Sequence, residues 1–304
     1  MRWADRHGVF RSEGQRRLFA AMNIGDLAGR MHPEGGFEDL CLLTDWVAWL
    51  FLRDDRWKPT DSLEEWERLA ERDRAYLRVM RQFPQRAPGD EEDGLAGALS
   101  DLCSRLRARA RKNGLANPID GNFTSWMKSF FFSNVREAFY QRRGECPPLA
   151  DYIEMRRTTG GLDILTKILG AMCGIRIPAE FLSRPEVQRL TESSHDVCCW
   201  HNDLISFDKE FHDGEVNNLV LVLLQDFQSG CGSLTEAVDL AARMIRDELG
   251  TFVELGHGIL ETAGERHADV AEWYVRMLSH RISGILSWEE HCVARYRKLS
   301  IASS

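Results

Sequence analysis

The spacing of apolar residues is the feature that most limits how this chain can fold. Between its Pro- and Gly-rich breaks, apolar positions recur three and four residues apart, which is the period of an α-helix that buries one face. No segment alternates strictly between apolar and polar residues, as a half-buried β-strand would. The pattern predicts an all-α protein of roughly nine to eleven helices, over 37–57, 62–83, 94–112, 122–142, 149–172, 185–212, 216–228, 234–262 and 266–299.

The chain shows no sign of division into separate domains. No internal repeat, low-complexity tract or long linker interrupts its 304 residues. With 15 Phe, 9 Trp and 9 Met, it carries enough apolar volume for one large core. We therefore predict a single helical domain over residues 1–304.

Charge and composition exclude several classes of partner. The chain has 39 Lys and Arg against 47 Asp and Glu, a net charge of -8, so it lacks the positive excess of proteins that coat nucleic acid or anionic membranes. Its longest apolar runs are about seven residues, as at 46–52, whereas a membrane-spanning helix needs ~20. The eight cysteines form no paired framework, and no leader opens the chain. We expect a cytoplasmic protein with reduced thiols and neither nucleic acid nor membrane as a partner.

Acidic residues stand at two predicted helix ends where they cost stability. Asp54 and Asp55 lie near the end of the helix that stops before Pro59, and Glu210 lies just before the 212–214 terminus. Negative charge at a helix C-terminus opposes the helix dipole by about 0.3–1 kcal/mol per group. A cation held between the two helix ends would offset both penalties.

A polar triplet marks one face of the second of these helices. Asn202, Ser206 and Glu210 are four residues apart, which places an amide, a hydroxyl and a carboxylate oxygen on the same face. Such oxygen donors suit Mg²⁺ better than zinc or copper. Lys209 stands beside this face, where an ammonium group can meet a phosphate. The alternative interpretation is a solvated face with a local Lys–Glu pair.

The motifs together resemble a known family. Residues 202–210 read NDLISFDKE, and an aromatic-rich helix ending in Asp54-Asp55 precedes them, as in the class I terpene cyclases, particularly the single-domain microbial sesquiterpene type. Arg156, within YIEMRRTTGG, stands at the family's spacing before Asn202, and Arg295-Tyr296 matches its C-terminal Arg-Tyr pair. The resemblance implies a bundle of the class I terpenoid synthase type around a central apolar cavity.

The same resemblance implies a metal site with three Mg²⁺ ions. One ion would be bound by Asn202, Ser206 and Glu210, and two more by the aspartate motif. Asp54 would be the bridging ligand, and Asp55 would be the partner of a basic residue such as Arg156.

Further residues are implied to bind substrate or to act on it. The resemblance places Arg156, Lys209, Arg295 and Tyr296 around a diphosphate. It also makes Gly160, in the stretch Thr158-Thr159-Gly160-Gly161, the residue whose carbonyl faces a carbocation after a helix break. For this stretch, a break made only for packing is the alternative interpretation. Two aromatic residues, Phe51 and Trp288, are expected cavity walls, with plain core packing as the alternative for each.

The implied activity is Mg²⁺-dependent ionisation and cyclisation of a linear isoprenyl diphosphate with release of pyrophosphate, farnesyl diphosphate (C15) being the default. Two features depart from the family pattern: Lys58 replaces an acid of the aspartate motif, and the N-terminal strap is expected to be short or missing. The alternatives are a C10 or C20 substrate, or a diphosphate-binding protein without turnover. A chain-elongating prenyltransferase is disfavoured, because it would need a second aspartate-rich motif where NDLISFDKE stands. A homodimer is possible by analogy with the family.

Overall fold

A computed structural model describes residues 1–56, 62–81, 94–226 and 228–296. Within these ranges all regular structure is helical, which confirms the predicted all-α class. The helices, in chain order, are α1 (Arg2–Arg6), α2 (Glu13–Ala21), α3 (Ile24–Met31), α4 (Phe37–Asp55), α5 (Leu63–Arg81), α6 (Gly94–Lys112), α7 (Gly121–Arg143), α8 (Leu149–Thr159), α9 (Leu162–Cys173), α10 (Ala179–Leu182), α11 (Pro185–His212), α12 (Leu219–Gln225), α13 (Leu234–Thr262), α14 (Gly264–His291) and α15 (Val293–Tyr296).

The predicted helices differ from the observed ones where local backbone chemistry intervenes. The 149–172 segment, given by periodicity as one stretch, is divided at Gly160–Gly161, where the Thr158–Gly161 stretch had indicated a helix break: Gly161 adopts a left-handed backbone (φ +67°) between the end of α8 and the start of α9. The C-terminal segment ends at His291, and Cys292 separates it from the short α15. The N-terminal helices α1–α3 and the four-residue α10 were not predicted, since helices this short carry too few turns for a clear period.

Helix α4 lies at the centre of the core and carries the first acidic motif on its last turn. Its residues Trp46 and Trp49 are fully buried, and the Trp49 Nε1 donates to the carbonyl oxygen of Leu95 on α6 at 2.9 Å. A buried tryptophan removes roughly 150–250 Å² from water, which stabilises the fold by about 4–6 kcal/mol. The aromatic packing therefore fixes the direction in which Asp54 and Asp55 leave the core.

The long helix α11 packs against α13 and α14, while α3 lies across α14 and α4. Helix α8 contacts both α7 and α11. These contacts bring the C-terminal ends of α4, α8 and α11 to the same end of the bundle as α15, around one cavity. Among the described residues, no helix is long and apolar enough to cross a membrane.

Candidate active site

One cavity of about 740 Å³ brings the predicted site residues together. Ser206 is the exception, because it is buried behind the lining with its Oγ donating to the Asn202 carbonyl oxygen at 2.7 Å. That hydrogen bond leaves the hydroxyl lone pairs available. The predicted residues that line the cavity are Phe51, Asp54, Asp55, Arg156, Gly160, Asn202, Lys209, Glu210, Trp288, Arg295 and Tyr296.

Apolar side chains from several helices form the rest of the wall. They include two residues of the N-terminal helix α3, Leu27 and Met31, so the N-terminal part of the chain contributes directly to the cavity. Leu50 of α4 and Phe130 of α7 also line it. The cavity thus combines a polar group of helix ends with an apolar surface, which suits a ligand with a charged head and a hydrocarbon tail.

Two aromatic rings stand beside a cationic group in the lining. The Arg295 guanidinium carbon lies 4.4 Å from the centre of the Phe51 ring, and the Phe51 and Trp288 ring centres are 6.1 Å apart. The Trp288 indole is held in place because its Nε1 donates to the carbonyl oxygen of Met22 at 3.0 Å. Phe51 therefore supports Arg295 as well as forming a wall.

The two acids at the end of α4 have different surroundings. Burial raises the pKa of Asp54, and the charge of Asp55 raises it further, while neighbouring arginines oppose the rise. Asp55 lies 3.9 Å from Nη1 of Arg295. The expected partner of Asp55, a basic residue, is thus Arg295 of α15 and not the suggested Arg156, which pairs with an acid of α11.

Asp203 is the acid that holds Arg156. The Arg156 Nε and Nη2 donate to Asp203 Oδ1 at 3.1 and 2.8 Å. The other carboxylate oxygen accepts from the Leu219 backbone N–H at 2.9 Å and from the Tyr152 hydroxyl. Burial raises the pKa of Asp203 and the charge of Glu210 raises it further, while the hydrogen bond from the Leu219 N–H opposes the rise. The carboxylate thus fixes the position of Arg156.

Asn202 connects Arg156 to the C-terminal helices. Its Oδ1 accepts from Arg156 Nη2 at 2.9 Å, and its Nδ2 donates to Glu289 Oε1 and to the Tyr296 hydroxyl, both at 2.8 Å. About two turns further along α11, Glu210 Oε2 accepts from Asn218 Nδ2 at 2.9 Å. Lys209 Nζ lies 3.3 Å from Asp213, at the exposed edge of the cavity.

The break between α8 and α9 has a packing reason that the sequence did not reveal. A Cβ atom on Gly160 would stand 2.6 Å from the Cys199 Sγ, closer than real Cβ contacts come, so a side chain there requires a shift of α11 or of the cysteine. Gly160 lies in the cavity wall at this break. Gly160 is therefore required for close packing against α11 and also lines the cavity. Its catalytic role stays a prediction.

Three acids that line the cavity were missed by the sequence analysis: the half-buried Glu137 and the buried Asp203 and Glu289. The sequence did contain a signal for Asp203. Two adjacent arginines, Arg156 and Arg157, pair with two acids that lie seven residues, or about two helical turns, apart on α11: Asp203 and Asp196. Glu137 and Glu289 belong to no motif, and their partners lie on other helices. Only the tertiary structure identifies them.

Glu137 on α7 titrates far from its ordinary range. Burial raises its pKa from 4.5 to about 7, and the nearby Asp54 adds to the rise although Arg156 opposes it. Its Oε2 lies 3.4 Å from Asn134 Nδ2. The cavity therefore contains a carboxyl group that is only partly ionised near neutral pH.

This pKa shift predicts a pH-dependent stability in metal-free protein. Between pH 4.5 and about 7 the folded state keeps a proton that the unfolded state loses, so the free energy of unfolding falls as pH rises through this window. Replacing Glu137 with Gln removes this loss, and we expect the variant to gain on the order of 2–3 kcal/mol over wild type at pH 8 relative to pH 4.5. Chemical denaturation at both pH values measures it. The control is Glu254→Gln, which replaces an exposed acid. If the free energy of unfolding of Glu137→Gln differs from that of wild type by the same amount at pH 4.5 and at pH 8, the raised pKa of Glu137 is contradicted.

The oxygen atoms that line the cavity suit a hard divalent cation, although they are not gathered tightly around one point. Asp54, Asn202 and Glu210 bring carboxylate and amide oxygens to the same cavity, and these are the ligands that Mg²⁺ prefers. In the described part of the chain, no three His, Cys, Asp or Glu side chains lie close enough together to hold one metal ion. Lys58, the departure in the aspartate motif, lies outside the described residues.

Solved structures of similar fold define the class of protein. The structure of a linalool/nerolidol synthase from Streptomyces clavuligerus superimposes with a TM-score of 0.81 over 94% of this chain and 92% of that one, at 19% sequence identity. The helical bundle described above therefore has the class I terpenoid synthase fold.

Sequence comparisons then give the family. A sequence-family model described as "Terpene synthase family 2, C-terminal metal binding" matches residues 45–250. A (+)-T-muurolol synthase from Roseiflexus castenholzii is 30% identical over 251 residues, covering 83% of this chain and 73% of the relative. A 4-epi-cubebol synthase from Streptosporangium roseum is 29% identical over 268 residues, covering 87% and 76%. The chain belongs to the terpene synthase family, as a class I terpene cyclase of the microbial type, and it is a lyase.

Proposed function

We propose that this enzyme is a Mg²⁺-dependent cyclase that ionises a linear isoprenyl diphosphate, with farnesyl diphosphate as its substrate, and releases pyrophosphate. The observation that carries the proposal is the meeting of acids, arginines and an aromatic, apolar wall in one cavity. The proposed metal residues are Asp54, Asn202, Ser206 and Glu210. Asp54 is half-buried, and its pKa is raised by desolvation and by Asp55, so it is a group that a bound cation would stabilise in its ionised form.

The proposed ionisation depends on pre-placed positive charge. The allylic C–O bond breaks, its electron pair leaves with the diphosphate, and the positive charge stays on the hydrocarbon. Bound Mg²⁺ would supply electrostatic stabilisation of the leaving group. Arg156, held by Asp203, and Arg295, held near Asp55 and Phe51, donate to the diphosphate from fixed positions. Lys209 and Tyr296 are the further proposed donors.

The cavity wall acts on the cation after ionisation. Apolar side chains exclude water, and the faces of Phe51 and Trp288 stabilise positive charge through the ring quadrupole. The Gly160 carbonyl at the break between α8 and α9 is the proposed dipole toward the cation. Its neighbour Thr159 is tied to the Arg156 carbonyl oxygen at 3.4 Å, which links the helix break to the diphosphate-binding residue.

The relatives support a C15 substrate. The names of the muurolol and 4-epi-cubebol synthases both specify cyclisation of (2E,6E)-farnesyl diphosphate. C10 and C20 diphosphates are the alternative substrates, and diphosphate binding without turnover is the alternative function. Release of pyrophosphate from farnesyl diphosphate in Mg²⁺, and its absence in EDTA, tests the proposal. Binding of the diphosphate without release under both conditions would favour the binding-only alternative.

Phe51→Leu is expected to change the product mixture more than the rate. Loss of the ring removes one aromatic face from the cavity wall, so the cation partitions differently among its products. Loss of the Arg295 contact costs about 0.5–1 kcal/mol, which corresponds to a rate reduction of only about two- to fivefold. Gas chromatography of the products and a pyrophosphate assay measure the two effects. The surface variant Phe132→Leu is the control, and an unchanged product profile would assign Phe51 to the core alone.

A further inference from the structure

Glu289 is a buried acid on α14 that contacts a proposed metal ligand in the cavity wall. The residue is 4% exposed, and its Oε1 accepts from Asn202 Nδ2 at 2.8 Å. Its other oxygen, Oε2, lies 2.6 Å from Nδ1 of His201, the residue that precedes Asn202 on α11. Both oxygens of the carboxylate are therefore held in place, and one of them is directed at the Asn202 amide.

The partners of Asn202 determine which way its amide points. A carboxylate only accepts hydrogen bonds, and a guanidinium only donates them. Glu289 therefore requires the amide nitrogen on its side, and Arg156, on the other side, requires the oxygen. Rotating the amide by 180° would place its oxygen against the Glu289 carboxylate and its nitrogen against the Arg156 guanidinium, and neither contact could form a hydrogen bond. The two charged residues together allow one orientation.

We propose that Glu289 is a positioning residue for metal binding: it holds the Asn202 nitrogen on its own side of the amide, so that Oδ1, the atom able to bind a divalent cation, stays on the side of Arg156. The inference rests on the proposed function, since it takes Asn202 as a metal ligand. Residues that hydrogen-bond to metal ligands commonly fix the orientation of those ligands, and their loss typically lowers metal affinity 10–100-fold.

The first test measures metal binding without turnover. Mn²⁺, which accepts the same oxygen ligands, is titrated calorimetrically into the full chain with inorganic pyrophosphate, against a protein-free titration. Glu289→Leu removes the carboxylate and leaves beside the Asn202 nitrogen the Tyr296 hydroxyl, which can donate as well as accept and so does not enforce one amide orientation. The variant is expected to weaken Mn²⁺ binding 10–100-fold. Glu289→Asp keeps the buried charge but shortens the reach to Asn202, so it is expected to weaken binding as well. The adjacent exposed acid gives the control variant Glu290→Leu, which is expected to bind like wild type.

The second test separates positioning from general damage to the site. An aspartate at position 202 offers two equivalent oxygens and needs no orientation. In the Asn202→Asp background, Glu289→Leu is therefore expected to cause no loss of Mn²⁺ affinity, or a gain, since it also removes a neighbouring negative charge. A loss of similar size in both backgrounds would overturn the proposal and make Glu289 a structural residue.

The outcomes also distinguish a failure of this inference from a failure of the proposed metal-dependent function on which it rests. If wild-type protein takes up no Mn²⁺ with pyrophosphate, the proposed metal site itself fails. If wild type binds and the Glu289→Leu and Glu289→Asp variants bind equally well, the metal site stands and the positioning role is wrong. Circular dichroism establishes folding, and Glu289→Asp carries the test if Glu289→Leu does not fold.

Discussion

Replacing Asn202 or Glu210 with Ala is expected to lower pyrophosphate release by on the order of 10²–10³-fold while leaving the helical fold intact. Each variant removes one oxygen donor from the proposed metal site, and with it part of the charge that stabilises the leaving diphosphate. Asn202 and Glu210 are both partly accessible to the cavity, so neither replacement empties the core. Steady-state pyrophosphate release over a range of Mg²⁺ concentrations measures the loss.

The same helix offers the control for these variants. Asp208 precedes Glu210 by two residues, but its side chain is 92% exposed and lies on another face of α11. Asp208→Ala is therefore expected to retain wild-type activity. Full activity in both Asn202→Ala and Glu210→Ala would refute the metal assignment.

Arg156→Ala is the second variant with a large expected effect. Arg156 is the cation that two α11 side chains hold in the cavity wall, at 2.8 Å from Asp203 and 2.9 Å from Asn202. Losing a pre-placed donor to the departing diphosphate is expected to reduce pyrophosphate release by on the order of 10²–10³-fold. Removing the guanidinium also leaves Asp203 buried without its charged partner, which is expected to cost about 3–5 kcal/mol of stability.

Arg157 provides an unusually close control, because it forms an equivalent ion pair outside the cavity. Its Nε and Nη2 donate to the buried Asp196 at 2.7 and 2.6 Å, and it does not line the cavity. Arg157→Ala is thus expected to lose a comparable amount of stability but to keep its activity at temperatures where it is folded. Denaturation and pyrophosphate assays on both variants separate the two effects. Equal loss of activity in both would mean that Arg156 acts through stability alone.

The sequence predicted those parts of the molecule that depend on local spacing. Helical periodicity located the long helices, and of the i, i+4, i+8 triplet on α11 the first and last members, Asn202 and Glu210, line the cavity while Ser206 is buried. The acids at the ends of α4 and α11 were identified because helix ends have a physical signature in charge and in proline or glycine. These features require knowledge of only one helix at a time.

The rest depended on which helices pack together. The partner of Asp55 lies on α15, and Glu289 of α14 is bonded to residues of α11 and α15, so neither pairing follows from spacing along one element. The close approach of Cys199 to Gly160 joins α11 to the break after α8. Helix α3 carries Leu27 and Met31 into the cavity, yet it is too short to show a clear period.

The most direct test of the account is product formation by the purified protein. C10, C15 and C20 isoprenyl diphosphates are each incubated with the enzyme, with and without Mg²⁺, and the organic extracts are analysed by gas chromatography–mass spectrometry. We predict a cyclic C15 product from farnesyl diphosphate that appears only with Mg²⁺. A well-folded protein that forms no terpene from any of the three substrates would contradict the proposed activity.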